Sequence, residues 1–203
     1  MVRSGKVRYI GHPTFPPPAI VDAQYIARDR GRERFVTEQP TYSILTRNIE
    51  NEVLPVCQRY GMGVISYSPL AGGWLSGRYR KDADQSRPMS VARQRLANRF
   101  DMSLPENQRK LDAADQLAQL ADEAGLSLIE MAITFVLRHP AITGAIIGSR
   151  TMEHLDAQLA AADVVLTDDV LDRIDEIVPP GVTLNPADNG WISPSLQPSA
   201  RHR

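Results

Sequence analysis

The stretch Gly63-Val64-Ile65-Ser66-Tyr67-Ser68-Pro69-Leu70-Ala71-Gly72-Gly73-Trp74-Leu75-Ser76-Gly77 holds the densest chemistry in this chain. An apolar run passes into a loop rich in Gly and Ser. Gly72 and Gly73 carry no side chain, so the backbone there can come close to a ligand, and successive N–H groups can line an anion site. Ser68 and Ser76 add hydroxyl donors to the same loop. Tyr67 closes the apolar run, where its ring could stack on a flat ligand. A second signal lies in Ala145-Ile146-Ile147-Gly148-Ser149-Arg150, another apolar strand that opens into a helix. A helix N-terminus presents unpaired N–H groups and partial positive charge, which suit an anion. Arg150 adds a permanent cation with a planar fork of donors. Two phosphate-type sites on one chain suggest a dinucleotide.

Other chemistries lack such support. The four His residues are scattered, and Cys57, the single cysteine, has no partner at metal-ligand spacing. No Ser-His-Asp pattern stands out. Cys57 sits in Val56-Cys57-Gln58-Arg59 without a neighbouring His, so it reads as a packing residue. One cysteine excludes an internal disulfide and fits a reducing compartment. A net charge of −1 gives no reason to expect nucleic acid or a membrane surface as partner. The start, Met1 to Lys6, is polar and basic and lacks the apolar core of a secretory signal. No apolar run reaches the ~20 residues of a membrane span. The expected location is the cytoplasm.

The frame that must position these residues shows in the periodicity. Strands are predicted at Val7–Ile10, Phe35–Glu38, Val64–Tyr67 and Ala145–Ile147, and the first three recur about every 28 residues. Between them come helices at Ala19–Arg30, closed by Gly31, and from Pro55 to Tyr60, closed by Gly61. That spacing marks βαβ units and a parallel sheet. Helices follow at Glu106–Ala124, from a Ser127/Glu130 capping box to His139-Pro140, at Met152–Ala161, and at Asp168–Ile177 with Thr167 as cap. Arg78 to Pro105 interrupts the rhythm. It reads either as a solvated excursion with a short helix at Val91–Asn98 or as a flap over the phosphates. The segment from Pro179 to Arg203, rich in Pro, Ser and Asn, is expected to be poorly ordered.

Four segments carry a family resemblance, in order along the chain: Gly5-Lys6-Val7-Arg8-Tyr9-Ile10-Gly11, Glu38-Gln39-Pro40-Thr41-Tyr42-Ser43, Tyr67-Ser68-Pro69-Leu70-Ala71-Gly72-Gly73 and Ile147-Gly148-Ser149-Arg150-Thr151. From about Gly5 to about Ile177 the chain resembles the second half of the aldo-keto reductase barrel. The resemblance implies an α/β fold, a partial TIM (β/α)8 barrel of four βα units over residues 1–178. A complete barrel has eight strands and about 250 residues. It also implies carbonyl reduction by hydride transfer from a nicotinamide. The family's acid-base tetrad of Asp, Tyr, Lys and His lies on its first four strands and maps onto no residue here. Tyr9, Tyr42, Tyr60 and Tyr79 read as packing or surface residues, and His12 lacks the motif of a catalytic His.

The cofactor side does map. Where the family has Gly-x-Ser-Asn or Gly-x-Ser-Thr, this chain has Gly11-His12-Pro13-Thr14. Thr14 keeps a hydroxyl for the nicotinamide carboxamide, whereas Pro13 cannot donate. Gln39 carries over as the second carboxamide partner, and Tyr67 as the ring under the nicotinamide. Ser68, Leu70, Gly72 and Ser76 carry over to the pyrophosphate. Gly148, Ser149 and Arg150 carry over to the adenosine 2′-phosphate, which favours NADPH over NADH. His154 and Gln158 replace the usual Gln and Asn near the adenine. No metal is implied. Two functions stay open: an NADPH-dependent reductase acting on a small carbonyl substrate once the missing half completes it, and a non-catalytic NADP(H)-binding or interaction protein built on a half barrel. A half barrel leaves two sheet edges and an apolar face around Val7, Ile10, Phe35, Val36, Val64, Ile65, Ile146 and Ile147 without partners, which self-association would cover.

Overall fold

The computed structural model describes residues 1–81, 94–194 and 198–200. Four parallel strands, β1 (Ile10–His12), β2 (Phe35–Glu38), β3 (Gly63–Tyr67) and β4 (Gly144–Ile146), lie side by side in chain order. Each connection carries helix: α1 (Pro17–Asp29), α2 (Val53–Arg59), then α3 (Pro105–Glu123) and α4 (Leu128–Arg138) before β4. Two helices follow β4, α5 (Met152–Leu159) and α6 (Asp168–Ile177). This is the parallel α/β sheet of a partial TIM-type barrel. Helix ends follow local rules. Pro17 and Pro105 sit in first turns, where their missing N–H groups cost nothing. The Ser127/Glu130 capping box forms in full, and Thr167 caps α6 by accepting from the Val170 N–H.

The strands alternate between two environments. On β3, Val64 and Ser66 are buried beneath the helices, while Ile65 is 36% exposed on the opposite face. Ile146, which pairs with Tyr67, is 41% exposed on that face. The expected apolar face is therefore narrower than the sequence suggested. Val64 belongs to the core, since neighbouring residues of a strand point to opposite sides. The open face is small and polar at one end. A side chain at Gly11 would collide with Thr37, and one at Gly63 would touch Thr143 and Thr37. The core lies on the helix side, around Leu54, Cys57, Val64, Trp74, Leu117, Met131, Val136 and Ile174.

Two expectations need correction. The first strand is Ile10–His12 rather than Val7–Ile10, because pairing with β2 begins only at Ile10↔Phe35, and Tyr9 is 74% exposed. The segment after Pro179, expected to be poorly ordered, is tied to the body as far as Gly190. Leu184 N–H donates to the Leu45 carbonyl at 3.2 Å. Buried Asn185 donates to Asn107 Oδ1 at 2.7 Å and to the Asn98 carbonyl at 3.0 Å. The wholly buried Lys110 ammonium holds Asp188 at 2.6 Å. Long-range polar pairs fix this segment, and composition does not reveal them. The helix expected at Val91–Asn98 falls partly outside the described residues; a short 3-10 turn forms at Ala97–Arg99.

Candidate cofactor site

In an open parallel sheet, ligands bind beyond the carboxyl ends of the strands. Thr14, Gln39, Tyr67 and Ser68 all lie there, just after or at the ends of β1, β2 and β3. Gln39 N–H donates to the His12 carbonyl at 3.0 Å and Thr14 Oγ1 donates to the Gln39 carbonyl at 3.3 Å. Tyr67 N–H donates to the Pro40 carbonyl at 3.0 Å. These bonds knit three strand ends into one surface and leave the Gln39 side chain exposed on it.

Backbone strain concentrates at the same place. Among the described residues, the non-glycine residues with positive φ are Thr14 (51°), Ser68 (61°) and Ala71 (49°). Such conformations are unfavourable for L-residues and persist where surrounding structure enforces them, often at binding sites. Thr14 and Ser68 were both assigned to the cofactor from sequence.

The loop from Ser68 to Gly77 is tightly wound. Ala71, Gly73 and Leu75 donate their N–H groups to Ser68 and Leu70 carbonyls at 2.8–3.2 Å. The Ser76 hydroxyl donates to the Gly73 carbonyl at 2.7 Å, so it must turn to meet a phosphate. The loop is anchored by Trp74, wholly buried, which stacks on Tyr79 at 4.2 Å and donates to the Arg99 carbonyl at 3.2 Å. Gly72 lies against Phe100: a Cβ there would sit 3.2 Å from the ring. Phe100 is on the returning limb of the 78–105 segment, read from sequence either as a solvated excursion or as a flap; residues 82–93 of it lie outside the described ones.

At the other signal, Ser149 and Arg150 are exposed just before α5, and Arg150 has no carboxylate partner among the described residues. Thr151 caps the helix by accepting from the His154 N–H at 3.2 Å. Gln158 turns inward and donates to the Gly148 and His154 carbonyls at 3.3 and 3.1 Å. Its place is under the turn that begins at Gly148, while His154 is exposed beside it.

Sequence reasoning missed two features here. His12 and Glu38 form a buried pair, His12 Nδ1 facing Glu38 Oε2, directly beneath Thr14. Burial raises the Glu38 carboxyl to about 7 and lowers the His12 imidazole. Glu38 also accepts from the Phe15 N–H at 3.0 Å, which fixes the turn that carries Thr14. The second is the C-terminal segment itself. Gly190 lies so close that a Cβ there would come within 2.4 Å of Thr14 Cγ2 and 3.1 Å of Tyr67 Oη.

The sequence model of the aldo/keto reductase family matches residues 1–179. The chain belongs to that family. It is 38% identical over 178 residues to the uncharacterized oxidoreductase YrpG of Bacillus subtilis, covering 88% of this chain and 51% of that protein. It is 29% identical over 181 residues to a putative voltage-gated potassium channel subunit beta of Schizosaccharomyces pombe, covering 88% and 52%. It is 28% identical over 178 residues to versiconal hemiacetal acetate reductase of Aspergillus parasiticus, covering 87% and 50%. The chain thus spans about half the length of the curated relatives it matches. Among the described residues, no helix is long and apolar enough to cross a membrane.

Of the tyrosines, Tyr42 sits in a buried polar network. Tyr42 is buried, and its hydroxyl donates to Glu50 at 2.6 Å. Glu50 in turn pairs with Arg47, which reaches Asp175 and the Val178 carbonyl, each at 2.6 Å. Burial raises the Tyr42 pKa far above the usual phenol value, and the bond to Glu50 adds to the rise. Burial likewise pushes the Cys57 thiol up to about 12, which makes it inert near neutral pH.

Proposed function

We propose that this chain supplies the NADPH-binding half of a barrel that reduces a small carbonyl compound to an alcohol. The observation that carries the reading is the convergence of Thr14, Gln39, Tyr67 and Ser68 at three strand ends, with left-handed backbone at Thr14 and Ser68. The donor set fits the cofactor once the Gly190 segment, which packs on Thr14 and Tyr67, moves aside. Thr14 and Gln39 offer a hydroxyl and an amide to the carboxamide, and Tyr67 a ring to the nicotinamide. Ser68, Leu70, Gly72 and Ser76 form the pyrophosphate loop. Gly148, Ser149 and Arg150, which has no carboxylate partner among the described residues, suit a 2′-phosphate, with His154 beside the adenine and Gln158 holding the Gly148 carbonyl. The cofactor supplies the hydride. The residues of this chain bind and orient it, and the strained turns pre-set their geometry.

Protonation of the developing alkoxide needs a general acid near the nicotinamide. Neither Tyr42 nor His12 suits that role. Tyr42 is bonded to Glu50, and His12 is buried against Glu38. On this reading the acid is supplied from outside this segment, and the expectation for the chain by itself is cofactor binding without turnover. A cytoplasmic setting is part of this reading. The reductase named among the relatives supports this reading. The channel-subunit relative supports the second one, a non-catalytic NADP(H)-binding protein that docks on a partner.

The test is NADPH oxidation with simple aldehydes, alongside cofactor binding by fluorescence. Binding without turnover is expected. Turnover above the blank that is lost on Tyr42→Phe would overturn the assignment, because it would reveal an acid at Tyr42.

A further inference from the structure

At the opposite end of the sheet, an open concavity of about 480 Å³ is lined by Gln24, Tyr25, Arg28, Arg34, Arg59 and Tyr60. It sits at the C-terminal ends of α1 and α2 and the start of β2, whereas Thr14, Gln39 and Tyr67 lie beyond the carboxyl ends of the strands. Its floor is fixed. Gln24 is buried, and its amide donates to the Phe35 carbonyl at 3.0 Å and to Met62 Sδ at 3.2 Å.

Three guanidinium groups surround this space. Among the described residues their carboxylate partners amount to Asp29, 3.7 Å from Arg28 Nε, with both side chains largely exposed. Arg34 donates from Nη1 to the Tyr60 carbonyl at 3.0 Å, a bond to a neutral group that leaves its charge uncompensated. Arg59 lies over the Tyr60 ring at 5.7 Å, and Arg28 over the Tyr25 ring at 4.6 Å. The rings hold the cations in place without neutralising them. Three like charges around one hollow repel each other, and a dianion between them relieves that repulsion. Arginine is also the side chain best matched to phosphate geometry. The whole chain has a net charge of −1, so this concentration of positive charge is local.

We propose that this concavity is a second anion site, separate from the cofactor site, which takes a phosphate monoester on a flat ring, of the nucleoside monophosphate class. The arginines receive the phosphate, and the tyrosine rings and arginine stems form an apolar wall for the ring. The volume lies within the range of small-molecule sites.

Calorimetric titration of the full chain with AMP, inorganic phosphate and adenosine tests this. AMP is expected to bind more tightly than either fragment. The Arg28→Gln/Arg59→Gln variant should weaken AMP roughly tenfold or more, and Arg150→Ala should leave it unchanged. If the double variant fails to fold, Tyr25→Ser serves instead, at a ring already 44% exposed. It should weaken AMP and leave inorganic phosphate as it was. AMP binding that is absent, no tighter than phosphate, unaffected by the folded variant used, or lost in Arg150→Ala would overturn the proposal.

Discussion

Lys110 and Asp188 are bonded to each other, yet removing one should not be equivalent to removing the other. Lys110 is wholly buried on α3, with its ammonium 2.6 Å from Asp188, 3.0 Å from the Arg99 carbonyl and 4.6 Å from the Trp74 ring centre. Asp188 sits on the C-terminal segment and keeps 13% of its side chain exposed. Breaking a buried pair from one side typically costs about 3–5 kcal/mol, because the remaining charge loses its partner. In Lys110→Met the orphan is Asp188. It can swing to water with its segment, and Arg99 Nε is already 3.7 Å away. The loss in global stability should therefore be only about 1–2 kcal/mol, below that range. In Asp188→Asn the orphan is an ammonium fixed in the core, so the loss should approach the full range. Burial already lowers the Lys110 pKa, and losing the Asp188 charge lowers it further. A lysine whose folded pKa lies below its unfolded value favours the folded state increasingly as pH rises. Asp188→Asn should thus regain stability as pH is raised from 7 toward 10. Urea melts of both variants at the two pH values, with amide exchange of residues 184–190, measure this. Lys110→Met proving the more damaging variant, or Asp188→Asn losing stability on going alkaline, would refute the reasoning.

Glu38→Gln should flatten the pH dependence of stability. A carboxyl raised from 4.5 to about 7 is fully stabilising below its unfolded value and loses that contribution as pH climbs through 7, by roughly 3 kcal/mol; identical slopes in Glu38→Gln and wild type between pH 5 and 8 would exclude Glu38 as the source. Trp74→Ala should destabilise by about 3–5 kcal/mol and loosen the Gly-rich loop it anchors, read as a lower melting temperature together with weaker binding of NADPH, the cofactor we propose. A melting temperature unchanged in Trp74→Ala would show that the Gly-rich loop does not depend on that anchor.

Much of the frame could be read in the sequence because local chemistry dictates it. β2 at Phe35–Glu38 and α6 at Asp168–Ile177 match the expectation residue for residue, and the capping box lies where Ser127 and Glu130 place it. These features need only neighbours within a few positions. β1 was displaced because a strand exists only where a partner pairs with it, and the partner to Val7–Tyr9 is not offered by β2. The fixing of the C-terminal segment escaped for the same reason. Asn185 meets Asn107, and Asp188 meets Lys110, across 78 positions in each case. One clue was present: Lys110 falls on the same helical stripe as Ala114, Leu117 and Ala121, where a cation needs a buried partner. The buried His12–Glu38 pair had no such clue, since its two residues meet only through the β1–β2 register. Thr14, Gln39, Tyr67 and Ser68, proposed for the cofactor, come together because each ends or follows a strand of the parallel sheet.

The central claim is that this chain carries a site for a dinucleotide with a 2′-phosphate. Fluorescence titration of the purified chain and of Arg150→Ala, each with NADPH and with NADH, tests it most directly. A charged hydrogen bond to the extra phosphate is worth roughly 1.5–3 kcal/mol. Arg150→Ala should therefore weaken NADPH about ten- to a hundredfold and leave NADH nearly unchanged. Equal weakening of both cofactors, or no binding of either by the unmodified chain, would contradict it.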